Sequence, residues 1–164
     1  MSIRMDLKNV SQALWFGERV RIKPLETQDE LIYALFECTL TEDQMDLVNP
    51  AGFSIGRAYL FREDNCPCII FNNANEPVGF INLCKWLGKG DAYSWSFFID
   101  SRHQGKGYGR SAAETAVRLL KAANPSMAIK LSAEKNNESA QRLYRSLGFR
   151  LLSELDGDDL VFEL

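Results

Sequence analysis

The sequence predicts an α/β (α+β) fold, a mixed β-sheet with helices on both faces, as a single domain over residues 1–164. Three observations carry that reading. Apolar runs of strand length recur along the chain, apolar residues at helical spacing stand between them, and Gly, Pro, Asn and Asp mark the joints. A chain of 164 residues suits one core of ordinary size. Its 46% hydrophobic and 25% charged composition excludes disordered and fibrous classes, and no repeat or linker divides it.

The elements follow in order. Residues 19–24 read as a strand because Val20 and Ile22 alternate with charged neighbours. A helix opens near Thr27, with Leu31, Ile32, Leu35 and Phe36 on one stripe, and a second short helix covers 42–48. Pro50 and Gly52 then break the pattern. Residues 68–71 are a buried strand, 72–76 its turn and 78–84 its hairpin partner, and 92–100 is the next strand. Residues 107–123 carry Ala112, Ala113, Ala116, Val117 and Leu120 at helical spacing and stop before Pro125. Residues 127–133 alternate as a strand. The helix at 137–147 is closed by Gly148, where a left-handed residue is usually needed, and 149–152 with 159–162 form a hairpin around Asp156-Gly157.

A net charge of −3 argues against a general nucleic-acid binder, which needs a basic surface to neutralise phosphates. No apolar run approaches a membrane span and the N-terminus lacks a signal-peptide stretch, so a cytoplasmic protein with no membrane partner is expected. Cys38, Cys66, Cys68 and Cys84 have no zinc-site spacing, so free thiols and no metal are expected. Charge is segregated. Residues 26–64 hold nine acids against Arg57 and Arg62, a net −7, while 101–150 hold ten bases against three acids, a net +7. One segment suits a cationic ligand and the other an anion, with plain solvated faces as the alternative.

The chemistry begins at residues 97–110, where the apolar Phe97-Phe98-Ile99 leads through a glycine-rich turn into a helix. Glycines let a backbone approach a ligand closely, and the unpaired N–H groups of a helix start attract a diphosphate, with Lys106 and Arg110 adding charge. The Rossmann fingerprint fails because Arg110 stands at its third glycine, and no P-loop string occurs.

The segment resembles the coenzyme-A loop of the Gcn5-related N-acetyltransferases (GNAT), whose Q/R-x-x-G-x-G/A is met by Gln104-Gly105-Lys106-Gly107-Tyr108-Gly109. A second family element, N-x-x-A-x-x-x-Y-x-x-x-G-F, is matched by Asn137, Ala140, Tyr144, Gly148 and Phe149. The resemblance covers about residues 78–164; residues 1–70 agree only in the order of elements. It implies a six- to seven-stranded, mostly antiparallel sheet, splayed in the middle between the strand ending at Asp100 and the strand 127–133. Acetyl-CoA, as cosubstrate, would lie in that opening. Its arm would pair with the backbone of Phe97, Phe98 and Ile99, its pyrophosphate would take the N–H groups of Gln104, Gly105, Lys106, Gly107, Tyr108, Gly109 and Arg110, and Asn137 would hold the arm through its side chain.

An amine attacks a thioester only as the free base, and an alkyl ammonium has a pKa near 10, so a proton exit is required. A backbone N–H near Phe98 or Ile99 suits the thioester oxygen. The leaving thiolate needs a proton, for which Tyr144 is the first candidate, with a core tyrosine as the structural alternative. Within the superfamily, Phe97-Phe98-Ile99-Asp100, Gln104-Gly105-Lys106-Gly107 and Glu154-Leu155-Asp156 look like the diamine and polyamine (spermidine/spermine) acetyltransferases. That branch carries an acidic base just before the double Phe, where this chain has Trp95 and Ser96. The base candidates that remain are Glu134 near the end of its strand, which joins Tyr144 as a catalytic candidate, Asp100 and Glu76, or a water chain ending on any of them.

His103 is a phosphate-loop residue that contacts either phosphate or water. Trp15, Phe16, Tyr33, Trp86, Tyr93 and Trp95 are candidates for an aromatic wall over a cation, with core packing as the default. Cys84 has no histidine partner and reads as a buried thiol. The expected function is acetyl transfer from acetyl-CoA to a primary amine of a small molecule, in a monomer or homodimer. The alternatives are a peptide or protein N-terminal acetyltransferase and a non-catalytic acetyl-CoA-binding module.

Overall fold

A computed structural model describes residues 2–88 and 90–164. Seven strands form one sheet in the order β1-β2-β3-β4-β5-β7-β6. They are β1 Val20–Pro24, β2 Asn65–Asn72, β3 Pro77–Lys85, β4 Ala92–Ile99, β5 Ala128–Ala133, β6 Arg150–Asp156 and β7 Asp159–Glu163. Every neighbouring pair is antiparallel except β4 and β5, which run parallel and meet only at Ala92↔Ala128 and Tyr93↔Ile129. Beyond Tyr93 the two strands separate. The splayed mixed sheet expected from the sequence is therefore present.

Helices cover both faces. On one lie α1 (Ile3–Lys8) and α5 (Tyr108–Ala123), packed with Val20, Ile22, Ile70, Ile81, Leu83 and Tyr93. On the other, the Tyr33–Glu37 turn that follows α2 (Gln28–Ile32), together with α4 (Ala51–Leu60), encloses Tyr33, Ala34, Ala51, Ile69, Phe71, Phe80 and Phe98. Two further helices, α3 (Glu42–Met45) and α6 (Glu138–Ser146), flank the opening between β4 and β5.

Several boundaries depart from the sequence reading. The break at Pro50 and Gly52 is the start of α4, with Pro50 in extended conformation at its N-cap, where a missing N–H costs nothing. α1 was not expected; Ile3 and Leu7 are the buried residues that hold it. The helix from Thr27 carries a Thr27/Glu30 capping box but widens into a π turn at Tyr33–Glu37. β2 begins three residues before Cys68 and takes in Pro67, which lies past the end of the β1 pairing and so needs no ladder bond on that side.

Candidate active site

The opening between β4 and β5 is a crevice of about 1000 Å³. Trp95 to Ile99 line one wall, Ser132, Ala133 and Glu134 the other, and α6 adds Asn137, Ala140, Leu143 and Tyr144. The loop after β4 closes one end through His103, Gln104, Gly105, Gly107, Tyr108, Gly109 and Arg110. Leu40 and residues 43–50, including Asp43 and Asp46, form the facing side. The two sequence elements, 97–110 and 137–149, thus meet around one cavity.

The loop has the conformation a phosphate cradle needs. Gly105 and Gly107 take φ of +75° and +80°, a region that L side chains rarely adopt, and Gly107 forms the N-cap of α5. Arg19, which the sequence reading did not single out, braces it: Nη1 donates to the Lys106 carbonyl at 3.1 Å, and the Arg19 backbone N–H donates to Ser111 Oγ at 3.0 Å. No local pattern marks Arg19, because it reaches the loop from 87 residues away.

Arg110 points along its own helix, pairing with Glu114 at 2.9 Å and donating to Ser146 Oγ at 3.0 Å. The Lys106 side chain has no hydrogen-bond or ion-pair partner among the described residues. Gln104 Nε2 donates to the Ile99 carbonyl at 3.0 Å and to Gln44 Oε1 at 2.7 Å, tying the loop to α3. Asn137 Oδ1 caps α6 by accepting from Ala140 N at 3.2 Å, which leaves its amide N–H groups for the crevice.

Asp100 does not face the crevice as a free base. It is fully buried, receives Arg102 Nη2 at 2.6 Å, and also accepts from Tyr33 Oη and Thr39 Oγ1, both at 3.3 Å. Burial pushes its carboxyl up, but the Arg102 bonds outweigh that and hold it below the usual carboxylate range. Glu76 lies in the β2–β3 turn, accepting from Asn72 Nδ2 at 2.8 Å, outside the crevice lining. Glu134 lines the crevice, and its carboxylate has no hydrogen-bond or ion-pair partner among the described residues.

Of the six aromatic wall candidates only Trp95 lines the crevice. Tyr93 is core and donates to Asp6 Oδ2 at 2.7 Å, and Tyr33 is buried against Asp100. Cys84 is buried, which pushes its thiol up to about 12. Tyr144 is buried at the crevice floor, and burial pushes its hydroxyl up to about 12. Two buried nitrogens in the lining, Trp95 Nε1 and His103 Nδ1, have no partner among the described residues.

The chain matches the acetyltransferase (GNAT) family over residues 30–149. It is 42% identical over 60 residues to a spermine/spermidine N(1)-acetyltransferase of Bacillus subtilis, a match spanning 37% of this chain and 40% of that protein's length. Among solved structures, an acetyltransferase from Agrobacterium tumefaciens superposes with TM-score 0.67 at 16% identity, over 91% of this chain and 92% of that one. An aminoglycoside acetyltransferase in complex with coenzyme A superposes with TM-score 0.67 at 21% identity, over 88% and 94%. The family match takes in the splayed strands, the glycine loop and α6, and the chain belongs to the acetyltransferase (GNAT) family.

Proposed function

We propose that this protein transfers an acetyl group from acetyl-CoA to a primary amine of a small molecule, with polyamines as the favoured substrate class. The observation that carries the reading is the β4–β5 opening, with a left-handed glycine loop at its wide end and Tyr144 on its floor. Acetyl-CoA supplies an activated thioester there. The residues present fit it: loop N–H groups and Lys106 for the diphosphate, free β4 backbone for the arm, and Asn137 amide N–H groups beside it.

Tyr144 stays protonated throughout the physiological range and is the proton donor to the leaving sulfur. Glu134, unpaired on the opposite wall, receives the proton of the incoming ammonium through water. Asp43 and Asp46 give the facing side a negative potential that attracts a polycation. The local likeness to a spermine/spermidine acetyltransferase supports the same class.

The test follows release of the coenzyme-A thiol with spermidine against aminoglycosides, amino acids and short peptides. Turnover highest with spermidine, and falling steeply in Tyr144→Phe, is expected. Preference for peptides moves the substrate to a protein N-terminus, and binding of acetyl-CoA with no thiol release on the whole panel overturns the enzymatic reading.

A further inference from the structure

We propose that the Trp95 indole N–H is a second hydrogen-bond donor to the coenzyme sulfur, standing across the crevice from Tyr144. This rests on the coenzyme reading above. The indole is 6% exposed and lines the crevice, and its Nε1 has no acceptor among the described residues. An indole nitrogen only donates, and buried donors are almost always satisfied, so the group it awaits is an acceptor.

The backbone places Trp95 at the reacting end. It stands two residues past Tyr93, the last β4 residue paired with β5, and so occupies the narrow part of the opening. An arm entering at the loop beyond Ile99 and running back along β4 passes Phe98 and Phe97 first. It comes level with Trp95 after about 13 Å at about 3.3 Å per residue. Phe149 then sets the two donors relative to each other. Its ring meets Trp95 edge-on, with centroids 5.8 Å apart and planes at 84°, and meets Tyr144 at 5.9 Å. One phenylalanine thus props the indole from β4 and the phenol from α6.

The chemistry gives the second donor a task. The amine nitrogen forms the new N–C bond, the C–S bond breaks, and its electron pair stays on sulfur. One of the three ammonium protons leaves through water to Glu134 before attack; a second, lost from the nitrogen after attack, replaces through water the proton that Tyr144 passes to sulfur, and the third stays on the amide nitrogen. The indole keeps its own proton and only hydrogen-bonds. A phenol at about 12 gives a proton to a thiolate of pKa about 8.5 only uphill. A fixed N–H beside the sulfur lets negative charge build there before the proton arrives.

The test uses uniformly 15N-labelled protein, whose three Trp indole signals are assigned with Trp95→Phe, Trp15→Phe and Trp86→Phe. Saturating coenzyme A is expected to move the Trp95 Nε1–H signal downfield together with the amides of Gly105 and Gly107. Desulfo-coenzyme A should move the glycine amides alone. Trp95→Phe should lower kcat by roughly 10- to 100-fold with the KM for acetyl-CoA changed less than about 2-fold. Glycine amides that move while Trp95 does not, or a Trp95 shift retained with desulfo-coenzyme A, overturns the proposal and leaves the coenzyme site intact. No movement of either overturns the coenzyme reading along with it. If Trp95→Phe fails to fold, the two single substitutions at Trp15 and Trp86 assign the third signal by elimination, and the wild-type titration decides.

Discussion

Asp100 and Arg102 form a 2.6 Å ion pair at the point where β4 passes into the glycine loop, with the Asp100 carboxylate fully buried and the Arg102 side chain 61% exposed. Arg102 Nη2 also donates to the Glu37 carbonyl at 3.0 Å, and the Ser101 N–H donates to the Thr39 carbonyl at 2.8 Å. The carboxylate thereby joins the start of the crevice-lining loop to the π turn after α2. It is a positioning group.

Asp100→Asn is expected to lower the melting temperature by roughly 3–10 °C, since the Arg102, Tyr33 and Thr39 donors around it would lose a charged acceptor. The pH dependence has a definite sign. The folded pKa lies below the unfolded value of about 3.9, so the stabilisation is complete above that value and drains away as pH falls through the folded pKa. Thermal melts across pH 2–6 check this: the variant should lose part of the acid-side slope of the wild type.

The Tyr144 hydroxyl makes no hydrogen bond within the described chain, although its ring packs against Phe149 and Phe162. Tyr144→Phe should therefore leave the melting temperature within about 2 °C while kcat falls by about 10²–10³-fold. Because burial holds this hydroxyl at about 12, any alkaline limb between pH 7 and 10 belongs to another group and should persist in the variant. Stability and pH–rate measurements on the same preparation separate these outcomes.

Gly107 and Gly105 separate two costs in the loop. A Cβ on either is strained, because both have positive φ, but at Gly107 it also meets Arg19 Cδ and Nε at 3.4 Å, while at Gly105 nothing lies within 4 Å. Left-handed backbone costs a non-glycine residue about 1–2 kcal/mol. Each alanine variant should raise the KM for acetyl-CoA roughly 5- to 30-fold with little change in kcat, and Gly107→Ala should be the worse. Equal effects would mean that Arg19 yields without cost.

Asp43 and Asp46 are exposed on the facing side of the crevice. Single Asn substitutions should raise the KM for spermidine roughly 2- to 5-fold each, the size of an exposed ion pair, and leave a monoamine substrate unchanged. The difference should shrink in high salt, because exposed charges are screened within about 8–10 Å at ordinary ionic strength. Steady-state kinetics at two ionic strengths with both substrates measures it.

Local pattern alone placed the strands at 78–84, 92–100 and 127–133, the α5 and α6 helices, the glycine turn, and the left-handed residue at Gly148. Strand alternation, helical spacing and glycine's freedom at positive φ are properties of short segments, so they survive without knowledge of the fold. What eluded that reading was long-range. Pro50 looked like a breaker because its role as an N-cap depends on the helix after it, which buries Ala51, Ser54 and Ala58 against the sheet. Asp100 was a plausible base until Tyr33, Thr39 and Arg102 closed around it. Trp95 was one aromatic among six until the parting of β4 from β5 set its nitrogen in a crevice without an acceptor. A sequence carries which groups a side chain offers; whether they are spent on the protein or left for a ligand depends on partners that only tertiary packing brings near.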